Sequence, residues 1–300
     1  MPIFKFINNK LSPIKELNIK LEREIQSLTE KNLKIIFGID FVCSEFSLHN
    51  FRIDTLAFNR ETMSFVILEY KKDRSFSVVD QGFAYLSLML NNKADFILEY
   101  NEKTNNNLRK DDVDWSQSRV LFLSQSFTAY QQNAINFKDL PIELWEVDKY
   151  DDDLFLYNQL KSAESSETIK TISNNKTIER VSKEVRVYTF DDHRSKADKD
   201  GQELLDKLRE KIFKMGDDIK EGYTPGYIKY FVNTTFLGVH VRKRWLIVEL
   251  RVDKNNFKDP KKLAKDISNR NWTVTREIKI NNFEVLDYSM SLIKQAYEAQ

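Results

Sequence analysis

A chain of 300 residues with 41% hydrophobic side chains can bury one large core or two ordinary ones, and the charge and composition along it favour two. A formal charge of +1 excludes an overall polycation and an acidic, solvating chain, so partners have to be read from local features. One cysteine, Cys43, and three scattered histidines exclude a disulfide framework and a Cys/His zinc cluster, and no stretch approaches the ~18 uncharged apolar residues of a membrane span. The expected setting is the cytoplasm, with no membrane partner.

In chain order, "LSPIKELNIKLEREIQSLTEKN" reads as an amphipathic helix with Ser12 as N-cap and Pro13 at its first position, since Ile14, Leu17, Leu21, Ile25 and Leu28 recur at helical spacing. "KIIFGIDFVCSEF" reads as a strand. "FRIDTLAF" and "FVILEYKK", separated only by "NRETMS", read as a hairpin. "SFSVVDQGFAYLSLMLNN" returns to helical spacing and "ADFILEY" reads as a strand, giving the order αβββαβ. "SRVLFLSQ", "SFTAYQQNAINFK" and "PIELWEVDKY" add a strand, a helix and a strand, closing an α/β layer within residues 1–160. The Ser-, Thr-, Asn- and Lys-rich stretch 161–187 reads as a linker or loose helix. Residues 188–300 read as a smaller α+β domain: a helix in "GQELLDKLREKIFKMG", strands in "YIKYFVN", "FLGVHVRKR", "WLIVELRV" and "WTVTREIKI", and a closing helix. No internal repeat, G-x-G-x-x-G or P-loop is present.

The hairpin carries the chemistry. Side chains alternate along a strand, so Glu69 and Lys71 share a face with Phe65 and Ile67, while Val66, Leu68 and Tyr70 take the other. With Phe58 opposite Phe65, Asp54 falls opposite Glu69, where like charges destabilise a sheet pair. A proton, a lysine or a divalent cation has to compensate. Lys71 is on the right face, but one ammonium leaves two carboxylates underbalanced, and a hard cation such as Mg2+ suits them. The competing reading is an Asp/Glu/Lys network used only for packing, although buried ion pairs seldom outdo apolar residues of similar volume.

Asp54, the hairpin and Glu69-Tyr70-Lys71 together resemble the PD-(D/E)xK motif of the restriction-endonuclease-like nucleases, with Ile53 in place of the nominal proline, and the αβββαβ order is similar to that family's core. Glu22 with Ile25, then Asn32, resemble the E-x-x-L…N start of relatives that recognise branched or mismatched DNA, and Gln81 and Tyr85 resemble their Q-x-x-x-Y. The resemblance covers roughly residues 10–150. The whole chain also resembles a little-characterised bacterial group with a C-terminal domain of unknown function, sometimes labelled as transport proteins, a label that the lack of a membrane segment argues against.

The resemblance implies that Asp54 and Glu69 hold Mg2+ or Mn2+, that Glu22 reaches the metal through water, that Lys71 orients or deprotonates the attacking water, and that Gln81 positions substrate or water. Glu24 rivals Glu22, because helical angles put it nearer the Leu17/Leu21 stripe, and both stay open; Glu45 is a further carboxylate candidate. Lys72, Arg74 and Tyr85 are expected to meet nucleic acid. In the second half, which carries 22 Lys+Arg against 18 Asp+Glu, Arg242, Lys243 and Arg244 are candidate phosphate contacts. Tyr223, Tyr227 and Tyr230 recur at i, i+4 and i+7 and read as packing residues sooner than stacking ones. The expected function is a divalent-metal-dependent nuclease, with DNA ahead of RNA, in restriction or phage defence, acting as a homodimer or with an activating partner. The alternative is a catalytically silent nucleic-acid- or protein-binding regulatory module.

Overall fold

The computed structural model describes residues 3–19, 22–71, 77–137, 140–160, 175–232, 234–253, 256–270 and 273–300. The chain divides into two compact units, Met1–Val187 and Tyr188–Gln300.

The first unit opens with a hairpin of β1 (Ile3–Ile7) and β2 (Lys10–Ile14), followed by the short β3 (Glu16–Leu17). The helix expected from Ser12 is therefore corrected: Pro13 pairs with Phe4 across the hairpin, and α1 runs Glu22–Phe37. The reason is the Asn8-Asn9 turn, whose φ of 48° and 63° is the left-handed pair that a two-residue hairpin requires. At its far end α1 absorbs "KIIF", because Gly38, at φ 68°, closes the helix with its N–H on the Lys34 carbonyl. The strand expected there starts later, as β4 (Asp40–Leu48).

β5 (Phe51–Asn59) and β6 (Ser64–Lys71) form the expected hairpin in the expected register, with Phe58 opposite Phe65 and Thr55 opposite Leu68. Asn59 fixes the turn by accepting from the Glu61 and Thr62 N–H groups at 2.9 and 3.1 Å. α2 (Val78–Asn91) starts at the N-cap Ser77. "ADFILEY" is not a strand but part of α3 (Lys93–Thr104), because Phe96 and Tyr100, one turn apart, enter the core together. Phe96 lies edge-on to Phe46, and the Tyr100 ring is 4.7 Å from Phe58. β7 (Arg119–Ser124), α4 (Ala129–Ala134), β8 (Ile142–Tyr150) and β9 (Leu154–Leu160) complete the layer.

The seven strands form one mixed sheet in the order β3-β8-β7-β6-β5-β4, with β9 also on β8. β5 and β6 are antiparallel, and β6, β7 and β8 are parallel to one another. The order α1-β4-β5-β6-α2-β7 is the expected αβββαβ core, with α3 added. Its sheet is buried on both faces: Phe65 and Ile67 join a core with α2 and α3, while Val66, Leu68 and Tyr70 join one with Ile25 and Leu33 of α1. Residues 161–174 of the expected linker lie outside the described residues. Its later part is α5 (Lys176–Glu184), which buries Ile178 and Val181 in the first core and so belongs to the first unit.

In the second unit, α6 (Phe190–Arg194) and α7 (Lys199–Phe213) precede a six-stranded antiparallel sheet. Its strands are β10 (Lys220–Tyr223), β11 (Ile228–Phe231), β12 (Thr235–Val241), β13 (Leu246–Leu250), β14 (Lys265–Asp266) and β15 (Arg276–Ile280), in the order β10-β11-β12-β13-β15-β14. α8 (Phe283–Glu298) ends the chain, and α7 and α8 bury their apolar sides against one face of this sheet. Among the described residues no helix is long and apolar enough to cross a membrane.

Candidate active site

Asp54 lies within β5, one step beyond Thr55, the last residue paired with β6, and its Oδ2 accepts from the Tyr70 N–H at 3.0 Å. That bond clamps it beside Glu69 on the neighbouring strand. Glu69 is 3% exposed, and its Oε1 accepts from Lys71 Nζ at 2.7 Å and from Gln81 Nε2 at 2.8 Å. Its Oε2 is buried with no hydrogen-bond partner. A buried carboxyl oxygen left bare in this way is costly unless a cation, a proton or solvent meets it.

α2 delivers Gln81 because the helix lies close on the sheet. A Cβ at Gly82 would come within 2.4 Å of the Ile142 side chain, so a glycine is what permits the approach. Gln81 also donates to the Tyr85 hydroxyl at 3.1 Å, and that hydroxyl donates to the Arg52 carbonyl at 3.3 Å. Tyr85 is 5% exposed, which corrects its expected place at a nucleic-acid surface: it stands behind Gln81 and holds it.

The electrostatics follow from this crowding. Burial first, and the facing Glu69 second, push the Asp54 carboxyl up from 3.8 to about 6, against the pull of the Tyr70 N–H and Lys71. Glu45 contributes as well. The register that pairs Ser44 with Thr55 and Phe46 with Ile53 brings it opposite Asp54, in a left-handed conformation with φ 55°. It is exposed there and binds Arg52 at 2.8 Å.

The first helix approaches from the other face of the sheet. Gln26 donates to the Asp54 carbonyl at 3.1 Å, and Glu30, one turn later, accepts from Thr55 Oγ1 at 2.6 Å. Glu22 opens α1, exposed, one turn before Gln26 and so on the same stripe. Glu24 is engaged elsewhere, with Lys149 at 2.7 Å. Gln26 was not among the expected site residues; its signal was the Glu22-Gln26-Glu30 spacing of four.

Lys72 and Arg74 lie outside the described residues. Arg242, Lys243 and Arg244 are exposed in the turn between β12 and β13, where Arg244 Nε lies 3.3 Å from Asp198 Oδ2. Tyr230 is buried in the core and the Tyr223 hydroxyl donates to Glu221 at 2.5 Å, so these two pack the second unit.

Among the described residues no three His, Cys, Asp or Glu side chains converge as a complete metal cage. Mg2+ asks for less, commonly one or two carboxylates with water and phosphate oxygens in the other positions. Asp54, whose carboxyl is pushed up to about 6, and Glu69 with its bare Oε2 fit that demand.

Residues 190–300 match a domain of unknown function, DUF5655. Among solved structures, a repair endonuclease from Pyrococcus abyssi is 18% identical, with a TM-score of 0.21 over 38% of this chain and 42% of that one. EndoMS in its apo form is 17% identical, with a TM-score of 0.26 over 40% and 43%. The match thus spans less than half of either nuclease, and likenesses this slight carry no argument about function. An uncharacterized protein of Haemophilus influenzae (strain ATCC 51907 / DSM 11121 / KW20 / Rd) is 44% identical over 299 residues, 99% of each chain. The chain belongs to the same family as that Haemophilus influenzae protein.

Proposed function

We propose that the first unit is a divalent-metal-dependent nuclease, a DNA endonuclease by preference, working at Asp54, Glu69 and Lys71. The observation that carries this reading is the bare, buried Glu69 Oε2 beside a second carboxylate and an ammonium, an arrangement that packing alone does not reward. When bound by the two carboxylates, Mg2+ or Mn2+ supplies Lewis acidity toward a phosphodiester and acidifies water.

The chain's own groups do the rest. Gln81 and Lys71 fix the Glu69 carboxylate through Oε1 and leave Oε2 turned away from them. The Tyr70 N–H fixes Asp54. The Lys71 side chain, 22% exposed, keeps a positive charge at the mouth of the pair, where it balances charge building on phosphoryl oxygens and orients the attacking water. Glu22, on the stripe of Gln26, is the carboxylate that α1 would contribute.

The test incubates wild type and Lys71→Ala with plasmid, linear, single-stranded and branched DNA and with RNA, each with Mg2+, Mn2+ or EDTA. Metal-dependent cleavage that falls by at least ~100-fold in the variant is expected. Absence of cleavage on every substrate, or equal cleavage by both proteins, contradicts the reading; the first outcome turns it to a silent binding module.

A further inference from the structure

The described helices of the second unit pack on one face of its sheet. Leu237, Val239, Val248 and Ile278 point into the core shared with α7 and α8, and Phe190 of α6 packs against that same core. Strand alternation sends Gly238, His240, Ile247, Glu249, Glu277 and Lys279 to the opposite face, where no described helix of this unit packs.

That face is built of rings and ammonium groups. Tyr227 continues the β11 register to lie opposite His240, with ring centroids 5.2 Å apart. Gly238 gives this ring its seat, since a Cβ there would already touch it at 3.4 Å. The same row runs on through Ile247, opposite His240, to Lys279, whose Nζ stands 4.3 Å from the centre of the Trp245 ring. At the other margin Lys229 Nζ lies 5.3 Å from the Phe231 ring centre. Lys220 and Lys265 occupy the outer strands on the same face. Of the two acids named on this face, Glu249 Oε2 is 3.2 Å from His240 Nε2, and Glu277 Oε2 is 3.2 Å from Arg270 Nη1. Among the described residues of this face, four lysines stand with two acids, so its charge is positive.

We propose that this face is a platform for single-stranded nucleic acid. Aromatic rings on an open sheet accept bases of any sequence by stacking, and lysines at the margins meet the phosphates. A duplex hides its base faces and can offer this surface only its backbone. The proposal goes beyond the nuclease reading and holds whether or not the first unit cuts.

The test uses the full chain in EDTA, so that binding is read without cleavage. Fluorescence anisotropy is followed with labelled oligothymidine, oligouridine and a duplex of equal length, over a salt series. Wild type should bind the single strands, and the double variant Lys229→Glu/Lys279→Glu should bind them at least ~10-fold more weakly, with a salt slope lower by ~1.4 for two lost phosphate contacts. Whichever of the two oligonucleotides binds tighter identifies DNA or RNA as the source. Tyr227→Phe, which keeps the ring, should bind as wild type does, and a circular dichroism melt checks that each variant is folded. Failure of wild type to bind either single strand, equal affinity for duplex, or a folded lysine variant with unchanged affinity and slope overturns the proposal.

Discussion

Asp54 shows what the site costs the fold. Its carboxyl sits at about 6 in the folded chain against 3.8 in a free one, because it is half-buried and faces Glu69. Between those values the native state holds a proton that the unfolded chain has lost. The contribution to stability is therefore full below about pH 4 and disappears as pH rises through about 6. Asp54→Asn has no such penalty. In EDTA near pH 7 it should be more stable than wild type by about 1–2 kcal/mol, allowing for solvent screening of a partly exposed group, and the gap should close near pH 4. Calorimetric melts of both proteins at the two pH values check this; a variant that melts below wild type near pH 7 would show the carboxylate to be a structural anchor. Asp54, Glu69 and Lys71 were legible in the sequence because charges among alternating apolar residues of a buried strand stand out. Gln26 was not, since a glutamine on a polar helix face carries no such contrast, and Glu45 was legible as a carboxylate candidate but not its left-handed φ, which leaves no mark in composition.

Among the elements, the central hairpin followed from its sequence down to the register, while the errors fell where local signals competed. "ADFILEY" has the β-favouring residues of a strand, yet Phe96 and Tyr100 stand one turn apart and both reach the same aromatic core. The helical pairing won through burial. Phe96→Ala should therefore cost ~3–5 kcal/mol, read by urea unfolding, as expected for emptying a fully buried ring. A loss below ~1 kcal/mol would mean that α3 contributes little to the core. The Ser12-Pro13 start signal was overridden by a turn two residues upstream of the second strand, and Gly38 set the end of α1 against a run of Ile and Phe that reads equally well as strand. In the second unit, Gly201 of α7 lets the basic turn between β12 and β13 dock, because a Cβ there would come within 2.7 Å of the Lys243 carbonyl oxygen. Gly201→Ala gains helix propensity but meets backbone, and a net loss of ~1–2 kcal/mol by urea unfolding is expected. A gain in stability would show that the turn moves aside without cost.

At the scale of the whole molecule, each unit has its own hydrophobic core, and the second needs no residue of the first to close its sheet. Residues 188–300 expressed alone should fold and melt cooperatively by circular dichroism, and a chain without a cooperative melt would show that this core is insufficient. The family relationship extends over nearly the full length of the chain, so the pairing of these two units is shared by the Haemophilus influenzae relative. On the proposed function, Asp54 and Glu69 are held together for a cation and not for packing. The most direct measurement is the shift in melting temperature on adding Mn2+ to the full chain and to its Glu69→Gln variant. A ligand that binds only the native state at ~100 times its dissociation constant stabilises by ~2.7 kcal/mol, so wild type should melt several degrees higher with the metal and the variant should not move. Equal shifts in the two proteins, or none in either, would contradict the account.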